Sequence, residues 1–248
     1  MKVGYAVLYE DGELVISKEH TILPKQIFKD YGEFEDHFCP WLLSYVKIKQ
    51  VWILNQVKSN RMRAWFLSCY NLTTLIDFQN LDVSDCTDFS DLFHGCQSLI
   101  NISSLKNWNV SSGKNFSWMF YGCKSLETLK GLDNWNVSNG IYFVSMFDSC
   151  KSLVDLSSLK NWNMSHGKDF TSMFYNCISL RNVSALKNWN IQNCCIVDRI
   201  FHECINLKEV YIPNTLNRIT CMMFKNCNSS LKIHWNNHIY IYEDLLGY

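Results

Sequence analysis

The stretch from Phe116 to Val137, FSWMFYGCKSLETLKGLDNWNV, decides the fold because it returns along the chain with little change. One cysteine marks each copy, and successive copies are 27 residues apart at Cys69, Cys96, Cys123, Cys150, Cys177 and Cys204. A last, shorter step of 23 residues leads to Cys227. Self-similarity at a fixed period of about 20 to 50 residues is typical of repeat proteins. The sequence therefore predicts an array of similar units.

The apolar residues before each cysteine have helical spacing. Phe116, Met119, Phe120 and Cys123 lie at i, i+3, i+4 and i+7, which is the stripe of a short amphipathic helix. After the cysteine, apolar residues recur at every third position, which indicates a chain that changes direction often, with a short strand near Leu129. These patterns predict an α/β fold with one short strand and one short helix in each 27-residue repeat.

A single copy is too small to fold alone. It buries roughly seven or eight apolar side chains, each stabilising by about 1.5 to 3 kcal/mol, whereas ordering the backbone costs about 1 to 2 kcal/mol per residue. The copies must therefore stack into a leucine-rich-repeat solenoid. We predict three parts: residues 1–60 as an N-terminal β-rich cap, 61–233 as the repeats and 234–248 as a C-terminal cap or tail. Within the first part, Asp11-Gly12 between two β-rich runs predicts a hairpin.

The composition argues against several classes of function. The 248 residues carry 23 basic and 23 acidic side chains, so no net charge attracts phosphate backbones or anionic lipid. No apolar run approaches the roughly 20 residues of a membrane span, and the first residues lack the apolar core of a secretory signal. We therefore expect no nucleic-acid, membrane or small-molecule partner, and a cytoplasmic location in a host or bacterial cell.

The twelve cysteines are periodic rather than paired. Disulfide frameworks are typical of small secreted chains. Neighbouring helices pack about 8 to 10 Å apart, which exceeds the roughly 4.4 to 6.8 Å between the Cα atoms of a disulfide. We therefore predict buried thiols in a reducing compartment. Cys39, Cys195 and Cys221 fall outside the common columns, and the sequence leaves their reactivity open.

Three arrangements of cysteine and histidine could suggest chemistry. Cys221, Cys227, His234 and His238 have the gaps C-x5-C-x6-H-x3-H, which lack the short first gap and long second gap of a zinc finger. The other two place a histidine two residues before a thiol, at His94 with Cys96 and at His202 with Cys204. Residues two apart on a helix point to different sides, which disfavours a Cys/His nucleophile. We predict no catalytic, cofactor-binding or metal-binding residues, and no enzyme.

Two columns of asparagine flank the tryptophans: Asn107, Asn134, Asn161 and Asn188, and Asn109, Asn136, Asn163 and Asn190. Several precede x-Ser and would be glycosylation acceptors in a secreted eukaryotic protein. Repeated side-chain amides can also hydrogen-bond from coil to coil and satisfy the backbone of turns. We favour this structural role.

The phrase Asn-Trp-Asn-Val-Ser, followed by Phe-Ser-x-Met-Phe-x-x-Cys-x-Ser-Leu-x-x-Leu, resembles the BspA-like leucine-rich-repeat proteins of bacteria, microbial eukaryotes and mobile elements. The resemblance covers residues 61–233 and extends weakly to the strand that begins near Tyr5. It implies a non-enzymatic, right-handed solenoid used for adhesion or protein recognition. Surface-anchored members carry a leader, a cell-wall anchor or a transmembrane tail, and the sequence shows none of these, which weighs against an adhesin.

Specificity should lie in the residues that differ between copies. We predict that ten of them bind a partner: Trp118, Tyr121, Tyr142 and Tyr175 on the helix side, and Glu127, Lys130, Asp155, Arg181, Glu209 and Tyr211 on the strand side. Exposed Trp and Tyr are typical of interface hot spots, although partial burial between helices would also explain them. We expect a protein partner, inhibited by occlusion if it is an enzyme. A mobile-element-encoded inhibitor of a host defence enzyme would be one example, and a surface or secreted adhesin is the alternative.

Overall fold

The computed structural model describes residues 2–35, 39–216 and 219–245. The N-terminal strands are β1 Lys2–Tyr9, β2 Glu13–Ser17, β3 Ile27–Glu35, β4 Gln50–Leu54, β5 Val57–Lys58, β6 Thr74–Ile76 and β7 Leu81–Asp82. Five of them form one sheet in the order β3-β1-β2-β4-β6. The hairpin predicted at Asp11-Gly12 is confirmed, because β1 and β2 pair antiparallel and Gly12 turns with a φ of 93°.

Parallel pairing joins this sheet to the first repeats. β2 pairs parallel with β4, and β4 with β6, so that Val51 lies between Leu14 and Leu75. Trp41 closes the same end of the core, since its indole N–H donates to the carbonyl of Trp65 at 2.6 Å. Residues before the repeats therefore cover the first coil with hydrogen-bonded backbone. A domain boundary near residue 60 stays a prediction.

Along the repeats, each apolar side chain packs against its counterpart one coil away. The rings of Phe93, Phe120 and Phe147 lie with centroids 5.6 Å apart and planes within 11° of parallel. Trp108 and Trp135 stack in the same way, with centroids 6.3 Å apart and planes 8° from parallel. The 27-residue period is thus the length of one coil, and the core is a set of continuous columns.

The prediction of a short helix in each repeat is wrong, because residues 116–123 form a series of turns. The N–H groups of Phe116, Trp118 and Phe120 donate to carbonyl oxygens in the next coil, and only the residues between them bond within their own coil. Trp118 and Gly122 have left-handed φ values of 57° and 68°. A left-handed residue at every fourth position prevents an α-helix. The turns still direct the predicted apolar stripe into the core, which explains its helical spacing.

The strand predicted in each repeat is present only in part. β6 near the start and β8 Glu209–Tyr211 near the end are strands. Between them the structure shows an isolated parallel bridge at the predicted position, between Asp155 and Asn182, and other bridges, such as Asn115 with Tyr142, at a separate column before the apolar stripe. Short 3₁₀ turns, for example Pro40–Ser44, Phe78–Asn80, Ser103–Leu105, Ser157–Leu159, Ser184–Asn188 and Cys221–Phe224, occur beside the strands and coils. The described chain is therefore built of strands and turns.

The C-terminal part covers the last coil. β8, β9 Lys232–Trp235 and β10 His238–Ile241 form a three-stranded sheet. The single turn of α-helix α1, Tyr242–Leu245, follows, and the ring of Tyr242 packs edge-on against Phe224, the last ring of the phenylalanine column. Residues 246–248 of the predicted tail lie outside the described part. Within that part, no helix has the length and apolarity needed to cross a bilayer.

The prediction that the cysteine column is core is confirmed, since its members from Cys69 to Cys204 are buried. No disulfide joins cysteines of the described residues. The tryptophan column is anchored by hydrogen bonds, because the indole N–H of Trp135 donates to the carbonyl of Leu105 in the preceding coil at 3.0 Å. Trp162 and Trp189 repeat this bond with Leu132 and Leu159.

One of the two asparagine columns, the one that contains Asn136, satisfies turn backbone within its own coils. The Oδ1 atom of Asn136 accepts from the N–H of Ser138 at 3.1 Å, which is an Asx turn. The side-chain ladder between coils lies three residues further along. There, Asn139 and Asn193 donate to carbonyl oxygens 28 residues earlier, and Ser112 does the same. The position predicted for the ladder is therefore wrong, because residues outside the two predicted columns form it.

Candidate functional site

A groove crosses the turns that precede the cysteine column. It encloses about 750 Å³ and spans the coils from Leu67 to Asn176. We call it the turn groove and describe its floor, two walls and closed end separately. Its volume exceeds that of the cavity of about 520 Å³ beside Trp189 and Trp235.

The floor consists of five small or short side chains, one from each coil: Ser68, Gly95, Gly122, Ser149 and Asn176. All five have left-handed φ values, between 54° and 76°. Each N–H donates to a carbonyl oxygen in the next coil at 2.6 to 2.8 Å. The floor is thus a continuous backbone ladder, and its small side chains leave the space above it open.

One wall carries aromatic rings. His94 and Tyr121 pack with ring centroids 4.5 Å apart, and Leu67 continues the wall toward the N terminus. The Nδ1 atom of His94 lies 2.9 Å from the Oδ1 atom of Asp91, which fixes the imidazole ring. This wall is therefore both apolar and held in place.

The opposite wall is polar and basic. It is formed by Tyr70, Gln97, Lys124 and Lys151, one from each of four coils. The Nζ atom of Lys124 donates to the Oε1 atom of Gln97 at 3.1 Å. Both lysine side chains are exposed to solvent, so two positive charges lie along one side of the groove.

The N-terminal end of the groove is apolar. It is closed by Leu42, Leu43 and Tyr45, in and just after the 3₁₀ turn Pro40–Ser44. The ring of Tyr45 packs edge-on against Tyr70 with centroids 5.3 Å apart. Leu42 and Leu43 are neighbours in the chain and are 42% and 90% exposed. Together they form an exposed apolar patch, which favours contact with an apolar group.

The residues that line the turn groove include no carboxylate. Two acidic side chains lie close to the floor and walls. Asp91 is paired with His94. Asp148 is buried and accepts from the hydroxyl of Ser149 at 2.8 Å. Burial raises the pKa of Asp148 to about 6, and the hydroxyls of Ser149 and Ser145 oppose that rise. The open surface of the groove is therefore positive in a chain with no net charge.

The structure distributes the predicted aromatic residues over separate places. Tyr121 lines the turn groove. Tyr175 is half-buried, packs against His202 with the two rings tilted by 48°, and donates its hydroxyl to Glu203 at 3.1 Å. Trp118 and Tyr142 are 39% and 48% exposed. All four stay predictions as binding residues.

The predicted strand-side residues lie away from the groove's lining. Glu127, Lys130 and Arg181 are exposed. Asp155 is half-buried and its Oδ1 atom accepts from the N–H of Ser157 at 2.7 Å, which gives it a role in a turn. Glu209 and Tyr211 are half-buried and lie near the C-terminal end. The hydroxyl of Tyr211 donates to the carboxylate of Glu209 at 3.2 Å.

Sequence reasoning missed most of the groove. Gly95 and Gly122 are 27 residues apart, as are Lys124 and Lys151, and each pair keeps a fixed distance from the cysteine column. Those spacings could have identified the floor and the basic wall. No sequence signal places Leu43 beside them, because the pairing depends on the path of the chain before the repeats.

The thiols of the core are poor nucleophiles. Burial raises the pKa of Cys39 and of Cys69 to about 12, and it also raises the pKa of Cys123. A protonated thiol does not attack or bind metal. Cys195 is exposed and Cys221 is half-buried. In the described ranges, no group of three or more His, Cys, Asp and Glu side chains could hold a metal ion.

The stacked coils and their continuous ladders define a repeat protein. The family described as "Mycoplasma protein of unknown function, DUF285" matches three overlapping stretches of the chain, residues 25–153, 59–182 and 101–214. The chain therefore belongs to this family. No curated protein matches it in sequence.

Three solved structures of bacterial leucine-rich-repeat proteins are similar to the chain. The protein from T. pallidum is 17% identical, with a TM-score of 0.37, and the match covers 94% of this chain and 83% of that one. The protein from Bacteroides ovatus is 14% identical, with a TM-score of 0.35 and coverages of 95% and 66%. The protein from Eubacterium ventriosum is 14% identical, with a TM-score of 0.27 and coverages of 95% and 96%.

Proposed function

We propose that this chain is a non-enzymatic, protein-binding leucine-rich-repeat solenoid of the BspA-like type, with right-handed coils. It acts by occupying the surface of a protein partner. The observation that carries the proposal is the exposure of large aromatic side chains on a stack whose phenylalanine and tryptophan columns are buried. Trp118 and Tyr142 are 39% and 48% exposed, and both lie on backbone that is hydrogen-bonded to its neighbouring coils.

A rigid surface of this kind suits binding. The carbonyl of Val144 accepts from the N–H of Trp118, and the carbonyl of Tyr142 accepts from the N–H of Phe116. The backbone that carries the two rings is therefore already ordered before a partner arrives. Binding then costs less conformational entropy than it would for a flexible loop. Tryptophan and tyrosine are also the side chains most enriched among interface hot spots.

We further propose that the protein inhibits its partner by occlusion, if that partner is an enzyme such as a host defence enzyme, and that it works in the cytoplasm. The lack of a disulfide among the described cysteines supports a reducing compartment. The core thiol of Cys150 is used as a hydrogen-bond donor to the carbonyl of Phe120 at 3.2 Å, a role that a disulfide would abolish. Thiol titration of the native and the unfolded protein tests this placement. Twelve thiols in the unfolded chain are expected, and several disulfides would favour the secreted adhesin instead.

The binding proposal is tested by affinity purification from the natural host with matched variants. The double variant Trp118→Ala and Tyr142→Ala removes the exposed rings, and the control Asn134→Ala and Asn161→Ala removes exposed polar side chains from the same coils. We expect a host protein that is retained by the wild type and by the control, and lost with the double variant. Equal retention by all three proteins would contradict the proposal, provided that urea denaturation shows equal stability.

A further inference from the structure

The turn groove has the dimensions of a site for an extended peptide. Its floor takes one residue from each of five successive coils, Ser68 to Asn176. Neighbouring coils are separated by about the 5.6 Å between the ring centroids of Phe93 and Phe120. Four such steps extend about 22 Å, which an extended chain covers with about seven residues at roughly 3.3 Å each.

The charged side chains along the groove favour a peptide of opposite charge. Lys124 and Lys151 are exposed on one wall, and no carboxylate is among the lining residues. The nearest acids are already engaged, Asp91 with His94 and the buried Asp148 with Ser149. Glu203 lies beyond the floor and accepts from Tyr175. A ligand in the groove therefore meets two lysine charges for which the described residues supply no salt bridge.

The ends of the groove differ, which gives the peptide a direction. Leu42 and Leu43 make the N-terminal end apolar, and Lys151 and Asn176 lie at the other end. The rings of His94 and Tyr121 line the middle opposite the lysines. An apolar residue at one end of the peptide and acidic residues after it would match both parts of the surface.

We propose that the turn groove binds an extended acidic segment of a protein partner, with one apolar residue of that segment against Leu42 and Leu43 and its carboxylates beside Lys124 and Lys151. This assignment rests on the proposed protein-binding function and names the chemistry of the partner. Main-chain donors of the floor are already used between coils. Recognition therefore comes from side chains and from the shape of the groove.

The assignment is tested by selection from a displayed library of random eight-residue peptides on the full chain. We expect the selected peptides to be enriched in Asp and Glu and to carry an apolar residue at a constant end. A fluorescent copy of one selected peptide then gives affinities by anisotropy. Binding should weaken as salt is raised, and an analogue with Asn and Gln in place of its acids should bind at least about tenfold more weakly.

Variants separate the groove from the rest of the surface. The double variant Lys124→Glu and Lys151→Glu should weaken the peptide at least about tenfold, while Lys106→Glu with Lys160→Glu, at exposed positions outside the lining, should not. Gly122→Asn fills the floor and keeps the backbone, because Asn176 has the same left-handed conformation two repeats further along the same column. It should also weaken the peptide.

Two results would overturn the groove assignment. One is a selection that yields no peptides, or yields neutral or basic ones. The other is a selected peptide whose affinity is unchanged by Gly122→Asn and by the lysine reversals. If host-protein capture still depends on Trp118 and Tyr142 in that case, only the groove assignment fails. If that dependence is also missing, the proposed function fails with it.

Discussion

The thiol of Cys123 donates a hydrogen bond to the backbone carbonyl oxygen of Phe93, in the preceding coil, across 3.2 Å. The same oxygen accepts from the N–H of Cys96 at 3.1 Å. The bond recurs at each later coil, at 3.0 to 3.2 Å, from Cys150, Cys177, Cys204 and Cys227. The cysteine column therefore joins neighbouring coils by hydrogen bonds as well as by packing.

Replacing one of these thiols should weaken the stack. Cys123→Ala removes the bond to Phe93 and leaves a small void in a fully buried position. We expect the free energy of unfolding to fall by about 1 to 3 kcal/mol. Urea denaturation followed by circular dichroism measures the change. The control Cys195→Ala alters an exposed thiol and should change stability by less than about 0.5 kcal/mol. Equal effects at the two positions would contradict the role of the column.

The tryptophan column gives a second matched pair. Trp135→Phe removes the N–H that donates to the carbonyl of Leu105. It also puts a smaller ring in the stack between Trp108 and Trp162. We expect a loss of about 1 to 3 kcal/mol in the free energy of unfolding. Trp118→Phe, at a position 39% exposed, should cost less than about 0.5 kcal/mol. A larger loss at Trp118 than at Trp135 would mean that the exposed ring is the more important structural residue.

At a position with left-handed backbone, replacement by glycine should increase the stability of the protein. Ala64 has a φ of 59°, a conformation that costs a residue with a Cβ atom roughly 1 to 2 kcal/mol. The unfolded-state entropy of glycine opposes this by about 0.4 to 1 kcal/mol. Ala64→Gly should therefore stabilise the protein by about 0.5 to 1 kcal/mol.

Ala185 provides the control, since it lies in the 3₁₀ turn Ser184–Asn188. Ala185→Gly gains no relief of strain there and should destabilise by about 0.5 to 1 kcal/mol. The midpoints of urea denaturation of both variants measure the two changes in stability. A decrease in stability of similar size for both would show that the turn conformation at Ala64 is not strained.

Sequence alone predicted the period, the buried cysteines and the hairpin at Asp11-Gly12, because each depends on local spacing or on a turn dipeptide. It gave the wrong local structure around Trp118. A stripe at i, i+3, i+4 and i+7 follows from an α-helix, and it also follows from four-residue turns with left-handed residues at Trp118 and Gly122. Tryptophan rarely adopts that conformation, so its identity argued for the helix.

The groove was harder to predict for a different reason. Its floor and basic wall repeat every 27 residues, so that part was readable in principle from Gly95, Gly122 and Lys124. Its apolar end comes from Leu43, which approaches Tyr70 only because the strands before the repeats cover the first coil. Contacts between segments that share no repeat position leave no spacing in the sequence.

The buried carboxyl of Asp148 makes stability depend on pH. Burial raises its pKa to about 6, whereas an unfolded aspartate has a pKa of about 3.9. Between these values the folded state binds more protons than the unfolded state, so stability falls as pH rises and then stays lowered above about pH 6. Asp148→Asn removes the free-energy cost of ionising this buried side chain in the folded state. After allowance for solvent screening, we expect it to stabilise by about 1 to 2 kcal/mol at pH 8 and by almost nothing at pH 4.

Urea denaturation of the wild type and the variant at both pH values tests this, because every titratable group other than residue 148 is common to the two proteins. Asp155→Asn is the control. Its side chain accepts from Ser157 within a turn, and Asn182 makes the same bond to Ser184 one coil later, so this variant should show no gain at pH 8. An equal gain at pH 4 and pH 8 for Asp148→Asn would assign the effect to packing rather than to charge.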